Sequence, residues 1–297
     1  MTTITAKIVA DSIGDHAPRL TTMLLRYPRC IHDEFMTHRV FSRNASSSRA
    51  IPVSKLIQDI VDDPAVPLYW GKNQKGMRAG EELSDREQRD AKMFWEQGMN
   101  SAILVAQKLH GLGCHKQIVN RVLEPYSHIT VVITGSHWSN FDALRDHPDA
   151  EPHIQLLAQA IKKARAEADV QTLEVGEWHL PFVNVTDGDG VSTGLSGGEA
   201  LENTIKLSVA RCASTSYKTV EGFDMTLERA IALHDKLVAS VPLHASPCEH
   251  QAKADEKIPG AIGPYGEWRT ERWRDGRCGN LGLGWVQYRK LLPGECQ

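Results

Sequence analysis

What most constrains the fold is a change of character along residues 20–53. A strand-like apolar run, Leu20 to Leu25, leads into Met36-Thr37-His38-Arg39-Val40-Phe41-Ser42-Arg43-Asn44-Ala45-Ser46-Ser47-Ser48-Arg49, and Ile51-Pro52-Val53 follows. The fourteen central residues hold a histidine, three arginines, an asparagine and four serines. Arg offers a planar fork of donors that suits phosphate, while Ser hydroxyls and turn N–H groups complete an oxygen shell without bulk. A solvated basic loop is the alternative, but the apolar segments on both sides set these residues between ordered elements. The stretch therefore reads as an anion pocket for a nucleotide or a phosphorylated cofactor.

The charge balance makes such a site local. A net charge of −3 over 297 residues argues against a protein that coats nucleic acid, and none is expected as a partner. That length buries a substantial core as one large domain or two small ones. The sequence contains no run of eighteen apolar residues, and Met1-Thr2-Thr3-Ile4-Thr5-Ala6 lacks a signal-peptide pattern, so a cytoplasmic protein with no membrane contact is expected. The six cysteines, Cys30, Cys114, Cys212, Cys248, Cys278 and Cys296, form no Cys-x-x-Cys pair, which favours reduced thiols.

Residues 18–30 read as a strand that Pro28 closes, and Asp62 to Glu82, rich in Pro, Gly and charge, as a long loop. Helical spacing of Phe94, Met99, Ala102, Val105 and Leu109 predicts a helix over 85–112, ended by Gly111 and Gly113. A short helix over 116–123, a β-branched strand over 129–134 and two helices around Pro148 follow. Residues 167–197 read as a surface excursion marked by turn glycines. Helices are expected from Glu199 through Ala210 and from Thr226 to Ser240, a Gly-, Trp- and Arg-rich loop over 263–282, and a last strand over 284–292. Helices outnumber strands in a mixed order, which predicts an α+β fold with a mixed sheet and long helices.

Three further clusters carry chemistry. His244-Ala245-Ser246-Pro247-Cys248-Glu249-His250 contains zinc-ligand residue types, but its spacing fits neither a paired-cysteine site nor a His-Glu-x-x-His helix, and Pro247 breaks the register. No metal site is expected there; a structural turn or a non-metal ligand site remains. Asn140 and Arg145 lie five apart, about 140° around a helix, so they share a face only if one stands at the helix end. Gln117 and Arg121, at i and i+4, share a helix face, either as a solvated stripe or as a phosphate contact. No nucleophile elbow, Walker loop or Gly-x-Gly-x-x-Gly follows a strand.

Together these segments resemble the flavin-dependent thymidylate synthases. The family carries an Arg-His-Arg signature, then a Ser after seven residues and an Arg two beyond it, and Thr37-His38-Arg39 with Ser47 and Arg49 is similar to that block. Asn140-Phe141 with Arg145 resembles the family's Asn-Phe and downstream Arg. The family's block reading roughly Ala-Arg-x-Cys/Ser, a helix, then His-x-Ser/Thr-Pro-Phe-Glu-His precedes its signature. Here Ala210-Arg211-Cys212-Ala213-Ser214, the helix over 226–240 and His244 to His250 look like that block placed after it. The chain thus resembles a circularly permuted, phage-like variant of the family. The likeness covers residues 18–55, 114–165 and 206–252 of a single catalytic domain spanning 1–297; residues 56–113, 167–197 and 253–297 read as insertions or an extension.

The resemblance implies FAD as cofactor, with methylenetetrahydrofolate and NADPH as co-substrates, and dUMP or a related pyrimidine nucleotide as acceptor in a homotetramer. It places His38, Arg39, Asn44, Asn140, Ser214 and Ser246 at the flavin. Ser47, Ser48, Arg49, Arg121, Glu34 and Arg145 would bind the nucleotide, with Arg145, His244 and Ser47 nearest the chemistry. The implied reaction is methylation of dUMP to dTMP. Hydroxymethylation of dUMP or another pyrimidine nucleotide, a non-catalytic nucleotide- or nucleic-acid-binding module stacking bases on Trp268 and Trp273, and a zinc-dependent nucleotide enzyme are the alternatives. The chain departs from the family pattern at Thr37 for Arg, Glu34 for Gln, Ala45 for Glu and Ala50 for Tyr, and the family's Glu-x-x-Arg around Arg121 is out of step by one residue.

Overall fold

In the computed structural model, residues 2–183, 198–216, 225–260 and 271–295 are described. In chain order the elements are β1 (Thr5–Gly14), β2 (Leu20–Pro28), α1 (His32–Met36), β3 (Ser42–Ala45), α2 (Val53–Asp62), α3 (Asp85–Gly111), α4 (Lys116–Val119), β4 (His128–Gly135), α5 (Ser139–Arg145), α6 (Pro152–Glu167), β5 (Gln171–Leu173), β6 (Trp178–His179), α7 (Glu199–Ala213), α8 (Leu227–Val238), β7 (Ala252–Ala254), β8 (Lys257–Ile258), β9 (Arg272–Trp273) and β10 (Trp285–Gln287). Among the described residues, no helix is long and apolar enough to cross a membrane.

The central sheet has the order β3-β4-β2-β1-β5, with β5 parallel to β1 and the other pairs antiparallel. Period-two alternation gives it two unlike faces. Met23, Leu25 and Tyr27 of β2 and Ile129, Val131 and Ile133 of β4 form an apolar face, which Ile154, Leu157, Ala158 and Ile161 of α6 cover at helical spacing together with Phe141 and Phe35. The opposite face carries Thr22, Thr130, Thr134, Ser42 and Asn44, in register across the strands. Against it lie a small sheet, β10-β7-β6, and the end of α7, which is itself buried between α8 and the 3-10 turn at Ser246–Glu249. A third cluster joins Leu56 and Ile60 of α2 to Ala106 of α3 and to Val119 and Leu123.

The α+β architecture with a mixed sheet agrees with the sequence expectation, and several elements depart from it in detail. β1 was not anticipated, although Ile4, Ala6 and Ile8 alternate onto the apolar core. The expected helix over 116–123 stops at Val119 and continues as 3-10 turns, so Gln117 and Arg121 lose their common helical face. Asn120 turns inward there, donating to the carbonyls of Ser48 (2.7 Å) and Ile51 (3.0 Å). Short strands β5 and β6 interrupt the expected excursion after residue 167, whose remainder, 184–197, lies outside the described residues. The expected last strand is only β10, and Tyr288–Leu291 turns as 3-10 helix. Nor is the stretch after 253 a loose appendage: Asn280 and Gln287 both reach Ser42 at the start of β3, at 3.0 and 3.3 Å. Trp268 and the rest of 261–270 lie outside the described residues.

Candidate functional site

β3 organises the site because its pleat sends successive side chains to different partners. Asn44 faces the polar side, where its Nδ2 donates to the Cys212 carbonyl at 2.6 Å and to Thr215 Oγ1 at 3.4 Å, and its Oδ1 accepts from Ser246 Oγ at 3.5 Å. One amide side chain therefore joins the Met36–Arg49 stretch to the end of α7 and to the Ser246–Glu249 turn. Cys212 and Ser246 lie 168 and 202 residues from Asn44 in the chain, a closure cost that grows slowly with loop length. Nearby Ser214 is buried and turns its hydroxyl back to the Ala210 carbonyl at 2.8 Å. Arg39, just before β3, is exposed, with no hydrogen bond or ion pair among the described residues.

A second cluster forms on the apolar side, at the end of β4. α5 ends in Arg145, whose guanidinium reaches the turn after α1: Nε donates to His38 Nε2 at 2.7 Å, Nη1 to the Glu34 carboxylate and Nη2 to Thr37 Oγ1 at 3.3 Å. His38 Nε2 is an acceptor here, so the ring proton belongs on Nδ1, a tautomer assigned from the bond network. Burial, then the Arg145 and Arg43 guanidiniums, hold the His38 imidazole below its ordinary range and keep it neutral. Its ring packs edge-on to Phe141, with centroids 4.9 Å apart. Arg145 is thus committed to three partners and reaches a ligand only by exchanging one of them. Asn140, on the first turn of α5, is exposed.

The third group lies past the other end of β3. Ser48 Oγ donates to Glu124 Oε1 at 2.6 Å, and Arg121 reaches the same carboxylate at 3.3 Å from an exposed position. Ser47 is half-buried, while Arg49 is exposed and, among the described residues, without a hydrogen bond or ion pair. Of the sequence-derived candidates, the fold brings His38, Glu34 and Arg145 together in one cluster. Asn44 and Ser246, with Ser214 close by in sequence to Cys212 and Thr215, form another, and Ser48 with Arg121 a third. His244 is exposed and its side chain joins none of them.

A buried relay that no local motif announces runs beneath the Asn44 face. Ser12 Oγ meets His179 Nδ1 (2.9 Å), His179 Nε2 meets Thr22 Oγ1 (2.7 Å), Thr22 meets Thr134 (2.6 Å), and Thr134 Oγ1 meets His250 Nδ1 (2.8 Å). Burial pushes both imidazoles down to about 3, so they are neutral. The relay ties β4 to the His244–His250 segment from inside. Alternating Thr in two β-branched strands was the available signal, but only the register shows that Thr22 and Thr134 are paired. Burial also raises the Cys212 thiol well above its usual range and pushes Cys248 up to about 12, which leaves neither as a ready nucleophile.

No protein-family model and no curated protein matches the chain. Among solved structures it is similar to a UMP/dUMP methylase, PolB from Streptomyces cacaoi, bound with 5-Br UMP, at 18% identity and a TM-score of 0.47, over 56% of this chain and 90% of that one. The same methylase bound with 5-Br dUMP is similar at 17% identity and a TM-score of 0.44, over 56% of this chain and 91% of that one.

Proposed function

We propose that the chain is an enzyme that transfers a one-carbon unit from methylenetetrahydrofolate to C5 of a pyrimidine deoxynucleotide, with FAD as cofactor and NADPH as reductant. The acceptor is dUMP and the product dTMP, in a homotetramer whose chain order is permuted relative to the flavin-dependent thymidylate synthases it resembles. The observation that carries this proposal is the side chain of Asn44. Its bonds to Cys212, Thr215 and Ser246 unite the signature-like stretch with both halves of the block that resembles the family's preceding segment.

The residues present fit a phosphorylated cofactor. Arg39 supplies an exposed guanidinium free to take an anion, and Asn44 and Ser246 hold polar atoms at the edge of β3. Bound reduced flavin supplies hydride, and the folate supplies the carbon. The protein's own share is positioning and electrostatics. In this scheme Arg49 and Ser47 hold the nucleotide phosphate, and Arg145, kept in place by Glu34 and Thr37, exchanges one of its partners to polarise the pyrimidine carbonyl. His38 stays neutral beside it and accepts from Arg145, which leaves the arginine's orientation set and no second cation in the cluster.

The test is one incubation with dUMP, methylenetetrahydrofolate, FAD and NADPH, with the product identified by mass. A methylated nucleotide together with the visible absorbance of bound flavin is the expected result. A colourless protein that fails to bind added FAD overturns it, and a hydroxymethylated product reassigns the reaction on the same site.

A further inference from the structure

The stretch after residue 253, which the sequence resemblance leaves without a role, grips β3 through two carboxamides. β10 pairs with β7 antiparallel, so Gln287 stands opposite Ala252, two residues past His250. Its buried side chain turns towards β3, where Nε2 donates to the Glu249 carbonyl (3.0 Å), to Ser42 Oγ (3.3 Å) and to Asn280 Oδ1 (3.0 Å). A carbonyl only accepts, so the Glu249 contact fixes which end of the amide is the nitrogen. Oε1 then lies over Gly279, where φ is +58° and an added Cβ would fall 2.1 Å from that oxygen, so only glycine fits beside the amide. Asn280 completes the grip. Its Oδ1 also accepts from Ser42 Oγ at 3.0 Å, and its Nδ2 donates to the Val40 carbonyl at 3.1 Å.

These bonds converge on the entry to β3, an edge strand of the central sheet. Val40 directly follows Arg39, the exposed guanidinium assigned above to an anion, and Ser42 shares a strand face with Asn44. From within, the same turn is held by Arg43, whose Nη1 donates to the Met36 and His38 carbonyls at 2.9 and 3.2 Å. Arg39 has no hydrogen bond or ion pair of its own among the described residues, so the backbone beside it sets where it points. The proposed permutation gives the grip a task. In the family's order the block similar to His244–His250 leads towards the signature; here the chain runs from His250 into β7, and the signature lies behind it. We infer that Asn280 and Gln287 are positioning residues that replace this lost connection: they hold the Glu249 carbonyl, Ser42 and Val40 in one frame and thereby aim Arg39 at a bound anion. The inference rests on the proposed function, which supplies that anion as the diphosphate of FAD.

The test is a double-mutant cycle in the full chain, read as affinity for added FAD by fluorescence, on wild type, Asn280→Ala, Arg39→Ala and the pair, with folding followed by circular dichroism. Asn280 is half-buried and packs in neither of the clusters that line the central sheet, so its truncation is expected to fold. Asn280→Ala and Arg39→Ala should each weaken FAD binding about tenfold, and the pair no more than about twofold beyond Arg39→Ala, because Asn280 acts through Arg39. Gln287→Met, of similar length and without donors, is expected to repeat the Asn280→Ala pattern, and it carries the test if Asn280→Ala does not fold. A loss that persists in full in the Arg39→Ala background, or an FAD affinity unchanged by the single substitution, overturns the inference while the proposed function stands. Failure of the wild type to bind FAD overturns both.

Discussion

Arg145 Nε donates to His38 Nε2 at 2.7 Å and so joins the end of α5 to the turn after α1. The same guanidinium also holds Glu34 and Thr37, so removing it strands three polar groups at once. Arg145→Ala is expected to cost about 2–4 kcal/mol of stability, as unmade partly buried hydrogen bonds and an uncompensated carboxylate do. Arg145→Lys should recover only part, because an ammonium cannot reproduce the fork. Urea midpoints check both. A separate readout is the His38 titration by NMR: with the neighbouring cation gone, its pKa should rise, and an unmoved titration would show that burial alone sets it.

Asn44→Ala removes a side chain that ties β3 both to the end of α7 and to the Ser246 turn. The Cys212 carbonyl loses its 2.6 Å donor, and a loss of about 1–3 kcal/mol is expected. Flavin binding, measured by fluorescence of added FAD, should weaken together with stability. Destabilisation with unchanged flavin affinity would separate the structural knot from the cofactor site.

Arg49 is exposed and, among the described residues, has no hydrogen bond or ion pair, so Arg49→Ala should leave folding within about 0.5 kcal/mol of wild type. The same change should weaken dUMP binding by about ten- to a hundredfold through loss of a charge-assisted contact, with visible flavin absorbance unchanged. His38→Ala should lower flavin content and, by releasing Arg145 from its acceptor, weaken dUMP binding as well. An exchange of the two phenotypes would mean that the flavin and nucleotide ends of the stretch are interchanged.

Acid should unfold the protein through its buried histidines. Burial holds His128 down to about 4 and His179 and His250 to about 3, against about 6.5 in an unfolded chain. A depressed histidine pKa contributes stability that is complete above the unfolded value and is lost as pH falls towards the folded one. Between pH 7.5 and 5 each of the three should therefore cost about 2 kcal/mol. Urea midpoints at the two pH values measure the sum. His250→Gln should remove about a third of the pH dependence, and an unchanged slope would show that this ring titrates normally.

The sequence alone determined the local elements whose signal is carried by neighbouring residues. Period-two apolar positions in Leu20–Pro28 and His128–Gly135, helical spacing in Asp85–Gly111 and the breakers Pro28 and Gly111 each act over one or two turns, and those elements form where the pattern places them. The polar stretch from Met36 to Arg49 was visible for the same reason. What only the tertiary structure decided is which partner each polar residue spends itself on. Strand pleat, not sequence spacing, sends Asn44 to Cys212 and Ser246, while the turn after α1 sends His38 to Arg145. The pairing of Thr22 with Thr134 and the burial that neutralises His179 and His250 both arise from surfaces far apart in the chain. Hydrogen bonds are short-ranged and directional, so they depend on register and packing, which one-dimensional patterning does not encode.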